Sequence, residues 1–191
     1  MKVFVNPGHD PNVDSGAVNI DYDVREADVT KQAGALLERG LKRAGHEVML
    51  LQSDDLDAVV AANDWPADIF VSLHCNASPG RNARGTETLY YSEQGRLLGE
   101  AVQKKILSKV PTIDRGCKER QGLYVLRRTV MTAILVELAF IDNNDDLELL
   151  EMSYSLKQNE FAQPDTPDET ANDAGRKKVA EILCRKIEEV M

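Results

Sequence analysis

AILVELAF, residues 133–140, is an apolar run that contains a single carboxylate, Glu137. A run of this length and composition favours a strand buried on both faces, as in a parallel sheet, although periodicity alone also allows a helix. An ionised glutamate inside such a run pays a large desolvation penalty unless a partner compensates for it. Glu137 is therefore the first candidate for a functional side chain.

The segments upstream alternate between strand and helix patterns, and central strands are nearly continuously apolar. This order indicates an α/β fold, a three-layer α/β/α sandwich around a mostly parallel sheet with one antiparallel or edge strand. Strands are predicted at residues 3–6, 47–51, 68–73, 86–91, 123–127 and 133–140, and helices at about 23–44, 56–62, 93–109 and 143–152.

We expect residues 1–191 to form a single catalytic domain, because this length supports one sizeable core and does not require a second. Residues 114–122 are expected to be a charged loop. A polar loop that contains two prolines, at about 154–170, is expected before an amphipathic C-terminal helix.

Composition excludes several classes of function. The chain is 42% apolar and 29% charged, with a net charge of −9, which disfavours nucleic acid or an anionic membrane as a partner. No stretch has the length of a membrane span, and no signal peptide is recognised, so synthesis in the cytoplasm is expected. The cysteines Cys75, Cys117 and Cys184 are far apart, and a disulfide framework is not expected.

Four polar side chains are predicted to meet at one edge of the sheet. His9 follows the first strand, His74 ends the strand at 68–73, and Glu137 lies toward the end of the last strand. Glu26 begins the helix that follows the His9 loop. Two histidines and one carboxylate are a typical set of ligands for catalytic zinc, with a further carboxylate as general base. We assign His9, Glu26 and His74 as zinc ligands and Glu137 as the base.

Each of these residues also has a structural interpretation when it is taken alone. Glu26 lies three residues after Asp23, where it could belong to a capping-box-like helix start. His9 could be a solvated loop residue, and His74 a satisfied core histidine. Cys75 should point to the opposite face of the strand from His74, into the core. Their coincidence at one edge favours the metal site.

Three segments together resemble the zinc-dependent N-acetylmuramoyl-L-alanine amidases of the type-3 family. They are VNPGH at 5–9 with DSGA at 14–17 and RE at 25–26; DIFVSLHCNA at 68–77; and LVELAFIDN at 135–143. The resemblance spans about residues 1–150, and RG at 115–116 with LYVL at 123–126 also looks like the family. Asp10-Pro11 and Thr132 depart from its usual glycines and proline, without replacing a ligand.

The resemblance implies zinc held by His9, Glu26 and His74, with Glu137 as the catalytic glutamate. It also implies a peptidoglycan or muropeptide substrate, cleaved between the lactyl group of N-acetylmuramic acid and the L-alanine of the stem peptide. The connection 92–122 is too short for the inhibitory helical insertion of some members. An endolysin-like enzyme that acts on the cell wall after release or export is expected, or else a domain of a longer enzyme.

Two other classes of function are open from the residues. One is another zinc peptidase, such as a carboxypeptidase on a related fold, which would release a single amino acid. The other is a non-catalytic peptidoglycan-binding module, which would leave its substrate intact. The presence of Glu137 beside a complete ligand set argues against the binding module.

Overall fold

A computed structural model describes residues 1–53 and 55–151, and six of the strands there form one sheet. The strands are β1 (Lys2–Pro7), β4 (Glu47–Leu50), β5 (Ile69–Asn76), β6 (Thr86–Tyr90), β7 (Asp114–Glu119) and β8 (Thr132–Phe140). Their order across the sheet is β4-β1-β5-β8-β6-β7. A short antiparallel hairpin, β2 (Val18–Asn19) and β3 (Val24–Arg25), lies in the loop after β1.

Four of the strands, β4, β1, β5 and β8, are parallel, so their carboxyl ends meet at one edge. The run 133–140 forms most of β8, which lies between β5 and the antiparallel strand β6. Ile134 and Val136 are buried on one face of β8, and Ala133 and Leu135 are buried on the other, as expected for a strand covered on both faces. The predicted α/β fold with an antiparallel strand is confirmed.

Helices cover both faces of the sheet. The helices are α1 (Glu26–Arg43), α2 (Asp55–Asp64), α3 (Glu93–Leu107), α4 (Tyr124–Arg128) and α5 (Asn144–Glu151). Helices α1 and α3 bury leucine, valine and isoleucine against one face, whereas α2 and α4 pack around Phe4 and Phe70 on the other. This gives the three layers, with the core on either side of the sheet.

Two predicted elements were wrong in type. Residues 114–122 were expected to be a loop, but 114–119 form β7, which pairs in parallel with β6. Residues 123–127 were expected to be a strand, but 124–128 form the helix α4, whose Val125 and Leu126 are buried against α2 and the sheet. A five-residue apolar segment has no period long enough to separate the two types.

Two boundaries also differ. The strand predicted at 68–73 continues to Asn76, so His74 lies within β5 rather than at its end. The helix predicted at about 23–44 begins only at Glu26, because Val24 and Arg25 form β3. The expected polar loop at 154–170 and the C-terminal helix lie outside the described residues. Among the described helices, none is both long and apolar enough to cross a membrane.

Candidate metal centre

The loop after β1 places His9 at the carboxyl edge of the sheet. The Gly8 N–H donates to the Leu73 carbonyl at 2.8 Å, and the Thr30 hydroxyl donates to the Gly8 carbonyl at 2.8 Å, so strand β5 and helix α1 fix this turn. His9 has a φ of 65°, in the left-handed region that a non-glycine residue rarely occupies. Such backbone strain is kept where neighbouring contacts determine the conformation, as it is in many functional sites.

Two glycines leave room for the histidine rings. A Cβ at Gly8 would lie 2.7 Å from Nδ1 of His74 and closer still to two other atoms of that ring. A Cβ at Gly16, which has a φ of 65°, would lie 2.6 Å from Oε2 of Glu26 and 2.6 Å from Cδ2 of His9. Both distances are far inside van der Waals contact, so the packing at these two positions requires glycine.

Glu26 is the first residue of α1, and its carboxylate joins the two histidines. Its Oε2 lies 3.1 Å from Nε2 of His9, and its Oε1 lies 3.1 Å from Nδ1 of His74. The residue is 3% exposed. The interpretation of Asp23 and Glu26 as a capping box is wrong. The N-cap of α1 is Arg25, which makes no side-chain cap hydrogen bond, and Asp23 lies outside the helix with a φ of 54°.

The three predicted ligands therefore converge. One donor atom from each of His9, Glu26 and His74 lies within 4.8 Å of the others. Nδ1 of His9 lies 2.7 Å from Oδ2 of Asp14, and because a carboxylate only accepts, this nitrogen carries a proton. Nε2 of His9 faces Glu26, to which it donates here, and it would offer a lone pair to a metal ion once it gives up that proton. Carboxylates orient metal-binding histidines in this way in many proteins.

The charges of the cluster favour a cation. Hydrogen bonding to the Glu26 carboxylate raises the pKa of His9 to about 9, against the effect of burial. Burial opposes ionisation of Glu26, but hydrogen bonds from His74, His9 and the Cys75 N–H outweigh it and hold the pKa of Glu26 well below its usual range. The buried carboxylate is thus ionised and surrounded by donors, and a bound divalent cation would meet the same requirement for positive charge.

Glu137 lies directly beside this cluster. In the parallel ladder of β5 and β8 it is the register partner of His74, so the two side chains are on the same face. Its Oε2 is buried and has no hydrogen-bond partner among residues 1–53 and 55–151. Burial raises the pKa of Glu137 to about 7; His74 lowers it, and the carboxylates of Glu26 and Glu87 raise it further. A carboxyl group with this pKa can accept and release a proton near neutral pH.

The raised pKa of Glu137 has a consequence for stability in metal-free protein. Between pH 4.5 and about 7 the folded state keeps a proton that the unfolded state has lost, so this group reduces the free energy of unfolding as pH rises. The loss reaches about 3 kcal/mol above pH 7. We expect Glu137→Gln to remove it, so that the variant gains stability over wild type from pH 5 to pH 8 in urea unfolding with chelator.

Glu47→Gln provides the control for this measurement, because it removes an exposed charge from the outer strand β4, which is separated from β8 by β1 and β5. The difference in the free energy of unfolding between Glu47→Gln and wild type should not grow over the same pH window. A constant difference between Glu137→Gln and wild type from pH 5 to pH 8 would contradict the buried, destabilising carboxylate.

The two residues after His74 also contact the site. Cys75 is buried in the core, as predicted, and its backbone N–H donates to Oε1 of Glu26 at 2.8 Å. Oδ1 of Asn76 accepts from the Ala77 N–H. Its Nδ2 also donates to Oε1 of Glu87 at 2.9 Å, a link between strands that was not predicted.

The sequence interpretation missed several residues that complete the site. Asp14 and Glu87 lie in polar segments of the sequence, where no local pattern distinguishes them from ordinary solvent-exposed acidic residues. The signals that could have found them are positional, since Asp14 lies five residues from His9 and Glu87 is directly opposite Glu137 in the antiparallel ladder of β6 and β8.

Comparisons with known proteins point to one family. The family model described as N-acetylmuramoyl-L-alanine amidase matches residues 3–163. Among curated proteins, the amidase CwlM of Bacillus licheniformis is 33% identical over 163 residues, which cover 80% of this chain and 62% of CwlM. The probable cell wall amidase LytH of Staphylococcus aureus is 28% identical over 75% of this chain and 49% of LytH. The matched part of the chain thus covers only 49–62% of the length of these relatives.

Solved structures show the same fold. The crystal structure of an N-acetylmuramoyl-L-alanine amidase from Clostridium difficile 630 has a TM-score of 0.81 and 27% identity, and covers 98% of this chain and 95% of its own. The catalytic domain of CwlV, an amidase from Bacillus (Paenibacillus) polymyxa, has a TM-score of 0.80 and 26% identity. It covers 98% of this chain and 96% of its own. On the family match and the shared fold, this chain belongs to the type-3 N-acetylmuramoyl-L-alanine amidase family.

Proposed function

We propose that the chain is a peptidoglycan hydrolase that cleaves the amide between the lactyl group of N-acetylmuramic acid and the L-alanine of the stem peptide. The observation that carries this proposal is the convergence of His9, Glu26 and His74 beside the carboxylate of Glu137, whose buried Oε2 has no hydrogen-bond partner within the described residues. Family membership supplies the substrate class. The protein would act on the cell wall after release or export.

We propose zinc as the cofactor, bound by His9, Glu26 and His74. Two imidazole nitrogens and one carboxylate oxygen suit zinc and leave a position open for water or substrate. Harder cations such as Mg²⁺ and Ca²⁺ prefer sites composed of oxygen ligands. When bound, zinc supplies a Lewis acid that polarises the scissile carbonyl and makes water more acidic.

Glu137 would move the proton that hydrolysis requires. It takes a proton from the attacking water, whose oxygen forms the new bond to the lactyl carbonyl carbon. It then gives that proton to the amide nitrogen as the carbon–nitrogen bond breaks, which releases the stem peptide with a free amine. A carboxyl group with a pKa near the working pH performs both transfers efficiently. Asp14 would keep His9 in the ligand tautomer throughout.

Removal of the metal tests the cofactor. We expect purified wild type to contain stoichiometric zinc, and prolonged dialysis against a strong chelator to abolish hydrolysis of muropeptides. Returning zinc should restore activity, and His74→Ala should neither retain zinc nor recover, because one of three ligands is missing. Metal-free protein with full activity would overturn the proposed mechanism.

The products distinguish the amidase from its alternatives. Mass spectrometry of digested muropeptides should show complete stem peptides that begin with L-alanine and glycans that end in free lactyl carboxylates. A carboxypeptidase would instead release single amino acids, and a binding module would leave the substrate intact after long incubation with zinc.

A further inference from the structure

Polar side chains continue in a row beyond the candidate metal centre, across neighbouring strands of the same sheet face. Glu137 on β8 is the register partner of His74 on β5, and Glu87 on β6 is the register partner of Glu137. Lys118 on β7 pairs in register with Leu89, which is on the same face as Glu87. The row therefore runs from His74 through two glutamates to β7.

Glu87 binds two cations at the far end of this row. It is 5% exposed, and Nδ2 of Asn76 donates to its Oε1. Its Oε2 accepts a hydrogen bond from the Lys118 ammonium and lies 3.5 Å from Nε of Arg115. We call Arg115 and Lys118 the β7 cation pair. A single buried carboxylate thus anchors two positive side chains that are themselves about one-third exposed.

The β7 cation pair has charge and donors to spare. Within the described residues, the single negative charge of Glu87 is paired with the two positive charges of Arg115 and Lys118, which leaves an excess of one positive charge in this group. The ammonium of Lys118 has three N–H donors, and Glu87 uses one of them. Nε of Arg115 is buried without a hydrogen-bond partner in the described part of the chain, although NH1 donates to the Arg84 carbonyl. The Cζ atom of its guanidinium lies over the ring of Phe140, 4.7 Å from the centroid, and this contact restricts its position.

We propose that the β7 cation pair recognises a carboxylate of the leaving stem peptide, two residues beyond the scissile amide. This rests on the proposed function and names the specificity determinant of that site. In peptidoglycan the second stem residue is a D-glutamate linked through its side chain, and its α-carboxylate is free in some walls and amidated in others. A site that presents a guanidinium and an ammonium selects the free carboxylate.

The dimensions of the sheet agree with this assignment. Strands β8 and β7 are two positions apart, which is about 10 Å at the usual strand spacing. Two extended residues span about 7 Å, and the long side chains of Lys118 and Arg115 cover the remainder. A substrate whose scissile carbonyl lies at Glu137 and whose stem crosses β6 would therefore bring its second residue to the β7 cation pair.

The test compares two muropeptides that differ by one group, N-acetylmuramoyl-L-alanyl-γ-D-glutamyl-L-lysine and its D-isoglutamine counterpart. We expect wild type to favour the free carboxylate by about tenfold in kcat/KM, as for a hydrogen bond to a charged group. Lys118→Gln should bring this ratio close to one, and Lys118→Arg should keep most of it. The ratio does not depend on the fraction of active enzyme, so a purely structural role of Lys118 would leave it unchanged.

The control variant is Lys104→Gln, which removes the same charge from an exposed position on α3, against the opposite face of the sheet. It should retain the wild-type ratio. A wild-type ratio of one, or a ratio that survives both Lys118→Gln and Arg115→Gln, would overturn the inference. Should Lys118→Gln not fold, Arg115→Gln provides the same comparison.

Calorimetry separates this inference from the proposed function. Binding of the two muropeptides to Glu137→Gln, which should not turn them over, gives a ratio of Kd values that is independent of hydrolysis. If wild type cleaves neither compound but this ratio still favours the carboxylate, the proposed function fails and carboxylate recognition stands. If both are cleaved and bound equally well, recognition fails and the amidase stands.

Discussion

Glu137→Gln should abolish hydrolysis of muropeptides while the protein stays folded and keeps its zinc. The amide has the shape of the carboxylate but cannot take a proton from water, so the loss in kcat should be at least about a hundredfold and up to about ten-thousandfold. Zinc should remain because His9, Glu26 and His74 are untouched. The measurements are kcat on a defined muropeptide, metal content, and the melting temperature.

Glu47→Gln is the matched control for this experiment, since it makes the same chemical change at an exposed position on β4. Its activity should equal that of wild type. A Glu137→Gln variant with wild-type kcat would exclude Glu137 as the base. Loss of zinc together with activity would instead indicate that Glu137 is needed to assemble the site.

Gly8→Ala should weaken zinc binding by a factor comparable to the loss in kcat of Glu137→Gln, and it should do so through packing alone. The added methyl group would overlap the imidazole of His74. The turn is held in place because the Gly8 N–H donates to the Leu73 carbonyl and the Gly8 carbonyl accepts from the Thr30 hydroxyl. The ring must therefore move away from Glu26. Displacement of a ligand should weaken zinc binding by at least about a hundredfold, more than the loss of an outer contact. Zinc affinity by competition with a chromophoric chelator measures this directly.

Gly122→Ala is the control for the added methyl group, because a Cβ there meets no heavy atom of the described residues within 4 Å. It should bind zinc and hydrolyse muropeptides as wild type does. Activity of Gly8→Ala near that of wild type would mean that His74 does not need the position seen here. The circular dichroism spectrum of Gly8→Ala should remain that of a folded α/β protein.

The architecture was predictable because its signals are long and redundant. The apolar runs of β1, β5 and β8 alternate with helical patterns, which is enough to define a parallel sheet. The edge at which His9, His74 and Glu137 meet then follows from strand direction, since carboxyl ends of parallel strands share one side. Glu26 was placed at the same edge because it begins the helix after the His9 loop, and that loop lies on this side of the sheet. The roles of these four residues stay predictions until the variants are measured.

The segment from Asp114 to Arg128 was not predictable by the same means. Strand β7 consists mostly of charged residues, and only the backbone of β6 gives it a partner, a contact that is not local in sequence. Helix α4 is too short for a hydrophobic period. The β7 cation pair could not be predicted for the same reason. Its side chains are oriented by strand β7, and this stretch was expected to be a loop, for which the sequence predicts no side-chain orientation.

The position of β7 at the end of the strand order constrains how its specificity can be changed. Among the described residues β7 is a terminal strand of the sheet, and charged side chains such as Arg115, Lys118 and Glu119 discourage edge-to-edge association at such a strand. Replacing the β7 cation pair with apolar residues would remove that protection together with the recognition site. Variants of this enzyme designed for amidated cell walls should therefore exchange these charges for neutral polar groups, or they will aggregate before their selectivity can be measured.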